Sequence, residues 1–177
     1  MIDLHKGIVL RAPSPFKTAI VLLDEHYGKI EGMTFKTQKG QSLCHGALIS
    51  YIPRKRQIKY TLEEQTLLDM PLEWARQDFV FFHYILELCG YFLQWDEPSP
   101  EVFRLVHLLS VEPSSFQDKE TQKKFLCHLF TYFGMYPDLT GTTLAGWFRT
   151  CIVAQFHTEP LRIAAFLKVL DRYENCS

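Results

Sequence analysis

Lys17-Thr18-Ala19-Ile20-Val21-Leu22-Leu23-Asp24-Glu25-His26-Tyr27-Gly28-Lys29-Ile30-Glu31-Gly32-Met33-Thr34-Phe35 is the stretch on which the fold turns. Its first half is a run of aliphatic and β-branched residues too short for a globular helix, and it reads as a mostly buried strand. Glu25-His26-Tyr27-Gly28 is a turn, because Gly28 takes positive φ at little steric cost. Lys29 to Phe35 then returns as the partner strand. Ile30, Met33 and Phe35 alternate imperfectly, and Gly32 marks a bulge within it.

Working outward, Gly7-Ile8-Val9-Leu10 within His5–Arg11 predicts a first strand, ended by Pro13 and Pro15. Lys36 to Gln41 is a polar loop, and Leu43 to Ile52 regains strand character. Pro53-Arg54-Lys55-Arg56 reads as a basic turn, and Gln57-Ile58-Lys59-Tyr60-Thr61 alternates as a half-exposed strand does. Five short strands with a tight Gly turn and a basic loop suit a small barrel such as an OB-fold.

The period then lengthens. Thr61-Leu62-Glu63-Glu64 has capping-box spacing and predicts a short helix. After Pro71, Leu72 to Gln94 predicts the longest helix, with Trp74, Phe81, Ile85, Leu88 and Phe92 on its buried face. Ser99-Pro100-Glu101 starts the next helix, which buries Val102, Phe103, Val106 and Leu109 and ends at Glu112-Pro113. A further helix opens at Ser115–Gln117 and runs through Phe133 to a stop at Gly134. Leu144 to Phe156 and Pro160 to Tyr173 read as two final helices. The expectation is an α+β chain: an N-terminal five-stranded OB-fold barrel over residues 1–61, then an all-α helical bundle over residues 62–177.

Net charge hides an asymmetry. Residues 1–60 carry ten Lys/Arg against four Asp/Glu, and residues 61–177 carry nine against sixteen. A basic β module joined to an acidic helical one points to an anion-binding surface on a docking scaffold. Fourteen Phe, eight Tyr and three Trp supply an aromatic core.

The N-terminus lacks the basic and apolar regions of a secretory signal. The apolar stretch Phe79–Trp95 is short for a bilayer span and contains His83, Glu87 and Gln94, so it reads as a core helix rather than a membrane helix. Cys44, Cys89, Cys127, Cys151 and Cys176 form no C-x-x-C pair and read as reduced thiols of a cytoplasmic protein. His83, His107, His128 and His157 fall in different predicted helices without an i+4 partner, so no metal site is expected. G-x-S-x-G, H-E-x-x-H, Walker A and G-x-G-x-x-G motifs are absent, so neither catalysis nor a cofactor is expected.

The binding signal is the group Arg11, Lys17, Lys29, Lys36, Lys39, Arg54, Lys55, Arg56 and Lys59. On one barrel groove these cations neutralise phosphates, while Phe16, Tyr27, Phe35, Tyr51 and Tyr60 offer stacking surfaces. Read singly, such cations are solvated surface and such aromatics are core. A second surface is read at Lys123 and Lys124 beside Phe125, where cations next to an apolar groove can hold an acidic, aromatic peptide end. A solvated helix face is the plainer reading there.

The order of these features resembles the bacterial recombination mediator RecO. The resemblance is carried by Gly7-Ile8-Val9-Leu10-Arg11, by the hairpin Glu25-His26-Tyr27-Gly28-Lys29-Ile30 and by Tyr60-Thr61-Leu62-Glu63-Glu64 at the barrel exit. It continues through Pro98-Ser99-Pro100-Glu101-Val102-Phe103-Arg104-Leu105-Val106 and Phe125 to Leu139, which has the family's F-x-x-x-L helix and G-x-x-P-x-L turn. Their shared order over residues 7–139 carries the likeness. It implies a non-enzymatic DNA repair factor, associated with the bacterial nucleoid, that binds single- and double-stranded DNA and anneals complementary strands. It further implies help in loading RecA on DNA coated by single-strand-binding protein, with RecR and that protein as partners. The sequence departs from the family in having no cysteines over Thr140 to Gly146, where many members carry zinc ligands, and in lacking the basic C-terminal end. The rival reading keeps the fold as a protein-interaction adaptor without DNA binding.

Overall fold

Ile20, Leu22 and Ile30 point into a closed barrel because strand side chains alternate, and residues two apart share one face. The computed structural model describes residues 3–13, 19–34, 43–57, 59–74 and 77–156. The barrel is built from β1 (His5–Arg11), β2 (Ala19–Asp24), β3 (Gly28–Thr34), β4 (Leu48–Arg56) and β5 (Lys59–Asp69). Its strand order is β1-β2-β3-β5-β4, closing back on β1. All neighbours are antiparallel except β3 and β5, which run parallel through Gly32↔Tyr60, Met33↔Thr61 and Thr34↔Leu62.

The interior is filled by Val9, Ile20, Leu22, Ile30, Ile49, Tyr51, Tyr60 and Leu62. Ile8, Val21 and Leu23, on the other face of their strands, are also buried. β1 packs there against the first helix of the chain, which is why β1 is a nearly continuous apolar run.

Several expectations are corrected. Gly32 marks no bulge, since β2 and β3 stay in register through Ile20↔Gly32. A Cβ at Gly32 would lie 2.6 Å from Leu62, so the glycine makes room for a barrel core residue. The basic triplet is not a turn: Pro53 to Arg56 continue β4, and Pro53 is tolerated because β1 stops pairing at His5↔Tyr51 and leaves one edge of β4 open. Thr61-Leu62-Glu63-Glu64 starts no helix. These residues lie in β5, which runs to Asp69 with register shifts opposite Leu48/Ile49 and Ser50/Ile52 and a positive φ at Glu64. A boundary at residue 61 therefore falls inside a barrel strand.

The helix expected from Leu72 begins later, as α1 (Phe79–Phe92), with the Asp78 carboxylate accepting from the Phe81 N–H at 3.0 Å. Before it, Trp74 is buried, donates its indole N–H to the Leu109 carbonyl at 2.9 Å and stacks on Phe82. α2 (Pro100–Val111) has Pro at its start and buries Val102, Phe103, Val106 and Leu109, as its periodicity predicts. α3 (Lys119–Tyr132) starts at an Asp118 cap, after a 3-10 turn at Pro113–Phe116. It stops before Gly134, whose φ of 76° is a left-handed helix end. α4 is Leu144–Phe156, and the helix expected over Pro160 to Tyr173 lies outside the described residues.

The chain divides into two compact units, Met1–Pro113 and Ser114–Ser177. The first holds the barrel with α1 and α2. Its α1–α2 linker is tied to the hairpin: Trp95 bridges to Lys29, the Asp96 N–H donates to the Lys29 carbonyl at 2.9 Å, and a Cβ on Gly28 would collide with the Glu97 carbonyl. The second unit packs Phe116 edge-on to Phe125 and Phe130 against Phe148. No helix among the described residues is long and apolar enough to cross a membrane.

Candidate nucleic-acid interface

Beyond Tyr51, β4 has an open edge, yet it stays paired with β5 through Arg54↔Thr61, Lys55↔Tyr60 and Arg56↔Lys59. The last residues of β4 and the first of β5 thus form a ribbon at the barrel rim, and its cations are exposed because no strand covers that edge. Each has a defined neighbour. Arg54 Nε lies 3.3 Å from Glu63 Oε2, Lys55 Nζ 3.4 Å from Asp96 Oδ2, and Lys59 Nζ 3.1 Å from Glu31 Oε1. Arg56 is exposed and has no ion-pair partner among the described residues. Four cations against three carboxylates leave one positive charge in excess, far less than the sequence asymmetry implies.

Aromatic rings line the base of the ribbon. Lys55 Nζ sits 5.2 Å from the centre of the Tyr60 ring, Tyr60 stacks on Tyr27 at 5.4 Å, and Tyr27 stacks on His5 at 5.0 Å. The Tyr60 hydroxyl, followed by Asp96, holds the Lys55 ammonium above the ordinary lysine range, while burial raises the Tyr60 phenol. Tyr27, 37% exposed, has ring surface open to solvent, whereas Tyr60 is 4% exposed and Tyr51 is fully enclosed. Tyr51 and Tyr60 are therefore core residues rather than the stacking platforms read from the sequence. Phe16 and Phe35 lie outside the described residues, as do Lys17, Lys36 and Lys39.

The remaining basic positions do not converge on this ribbon. Arg11 is exposed, but it ends β1 six residues from His5, about 20 Å from the ribbon end of that strand. Lys29 is 4% exposed; its ammonium donates to the Gly90 carbonyl at 3.0 Å and lies 4.5 Å from the Trp95 ring centre. Burial lowers its pKa, and Arg11 adds to the effect. Lys29 thus serves the C-terminal end of α1 and is not presented to a phosphate.

In the second unit Phe125 is 4% exposed and packed against Phe116, so it offers no groove lining. Lys124 is exposed beside Glu120 at 3.9 Å, and Lys123 is half-buried.

Glu31, Glu63 and Asp96 are the site residues that sequence reasoning misses. Glu63 is two strand positions from the pairing partner of Arg54, a relation visible only once β5 is recognised as a strand. A second correction concerns histidine spacing. His83 does have an i+4 partner, with His83 Nε2 3.9 Å from Glu87 Oε1 on α1, and the His45 ring lies parallel to that of His83 at 5.4 Å. No family model and no curated protein matches this chain.

Proposed function

We propose that the barrel is an OB-fold and that the chain is a non-catalytic DNA-binding protein of the RecO type. It takes single- and double-stranded DNA along the β4–β5 ribbon. The observation that carries this reading is the exposed run Arg54, Lys55 and Arg56 on the open edge of β4, next to Lys59 and the partly exposed Tyr27. A closed five-stranded barrel joined through a parallel β3–β5 contact supports the OB-fold assignment. Cations on such an edge screen repulsion between two phosphate backbones, which lowers the cost of annealing. Assistance to RecA loading on coated DNA, with RecR and single-strand-binding protein as partners, completes the proposal.

The test is binding of a fluorescent oligonucleotide in rising salt. Four phosphate contacts predict a slope of log K against log salt of about −3 on single strands. The Arg54→Glu/Lys55→Glu/Arg56→Glu variant should lose most of its affinity and fail to accelerate annealing of strands coated by single-strand-binding protein. A shallow slope unaffected by the variant defeats the reading.

A second reading, a protein-interaction adaptor, is favoured by the three carboxylates that already pair with ribbon cations. It predicts no salt-sensitive DNA binding in a folded chain.

A further inference from the structure

His45, His83 and Glu87 converge from two places in the first unit. His45 belongs to the turn before β4, and His83 and Glu87 are one helical turn apart on α1. Each offers one donor atom, and these atoms all lie within 4.8 Å of one another. The His83 ring lies parallel to the His45 ring at 5.4 Å and stacks with Phe79 at 5.8 Å. Its Nδ1 is buried without a hydrogen-bond partner, a cost that ordinary packing leaves uncompensated. All three residues are half-buried, neither sealed in the core nor free on the surface.

We propose that His45, His83 and Glu87 bind one divalent transition-metal ion of the Zn²⁺ class, with the fourth position open to water. Two imidazoles and one carboxylate are a zinc-type donor set, whereas Mg²⁺ and Ca²⁺ favour oxygen ligands. Bonds of about 2.0–2.2 Å in a tetrahedral site bring the donors to about 3.3 Å apart. The present spread exceeds that by at most about 1.5 Å, within reach of side-chain rotation. The bound ion ties the loop entering β4 to α1.

The experiment is calorimetric titration of the full chain with Zn²⁺, paired with the visible spectrum after Co²⁺ addition. One ion per chain is expected. His45→Ala or His83→Ala should lower affinity by at least ~100-fold, and Glu87→Gln by about 10-fold. Glu87→Gln is nearly isosteric at a partly exposed position, so it keeps the test decisive if a histidine variant misfolds. A thiolate-to-cobalt charge-transfer band would put the ion on the cysteines and overturn the proposal. Absence of binding, or affinity unchanged in the folded variants, would overturn it equally.

Discussion

Tyr51 donates its phenolic hydroxyl to the carboxylate of Asp24, and both side chains are fully enclosed. A buried carboxylate is tolerated only when its lone pairs are filled. Asp24 also accepts from the His26 and Tyr27 N–H groups, each at 2.7 Å, and from His5 Nδ1 at 3.1 Å. Since a carboxylate only accepts, His5 carries its proton on Nδ1. One side chain thereby joins β1, β2, β4 and the β2–β3 turn. Tyr51→Phe should cost about 2 kcal/mol, the worth of a hydrogen bond to a charged group. Asp24→Ala should cost more than ~3 kcal/mol, because it strands several buried donors. Urea unfolding monitored by circular dichroism measures both.

The same pair predicts alkaline sensitivity. Burial, then the Asp24 charge, raises the Tyr51 pKa well above its ordinary value. Below about pH 10 the folded and unfolded chains both keep the phenol proton, so its contribution to stability is complete. Above that pH the unfolded chain releases the proton and the folded chain retains it, so stability falls by up to about 1.4 kcal/mol per pH unit. Burial raises the Cys89 thiol in the same sense. Tyr51→Phe should flatten the slope and leave the Cys89 part. Equal slopes in the two proteins, from urea midpoints across this range, would contradict the assignment.

Much of the barrel is legible because β1 and β2 carry apolar runs with prolines between them, and β3 follows directly from the tight turn at Gly28. The helix α2 is legible for its Ser99-Pro100 start and 3–4-residue apolar spacing, and α4 covers the expected Leu144 to Phe156. β5 is not, because Thr61-Leu62-Glu63-Glu64 satisfies a local helix-start rule while its strand identity depends on pairing with Pro53 and Thr34, both distant in sequence. The site is less legible still. Lys29 and Arg54 are both hairpin cations in sequence, yet one is enclosed under α1 and the other stands on an open strand edge. Only the register of the closed barrel separates them. The likeness of Pro53-Arg54-Lys55-Arg56 to a turn fails for a similar reason, since its proline lies where β1 has already ended.

Lys29 is thus predicted to matter for stability and not for DNA. Lys29→Met keeps the apolar stem but loses the bond to the Gly90 carbonyl and the contact with Trp95. The expected cost is about 1–3 kcal/mol. Affinity for an oligonucleotide, measured where the variant is fully folded, should match the parent protein within about twofold, a difference well under the 1.4 kcal/mol of a tenfold change.

The carboxylates beside the ribbon give the sharpest functional prediction. Glu63, Asp96 and Glu31 each neutralise one ribbon cation and stand where an approaching phosphate would meet them. Exposed pairs of this kind contribute about 0–1 kcal/mol to folding, so neutral replacements should leave stability nearly unchanged. If the ribbon binds DNA, Glu31→Gln and Glu63→Gln each free a cation for a phosphate. Affinity should then rise severalfold at low salt, because each cation meets its phosphate without first giving up a carboxylate. The same substitutions have the opposite consequence for an adaptor whose partner is basic, because they remove the negative charges that partner would contact. Parallel titrations of both variants with an oligonucleotide and with a polylysine probe separate the cases: tighter DNA binding assigns the ribbon to nucleic acid, and weaker polylysine binding with unchanged DNA binding assigns it to a protein.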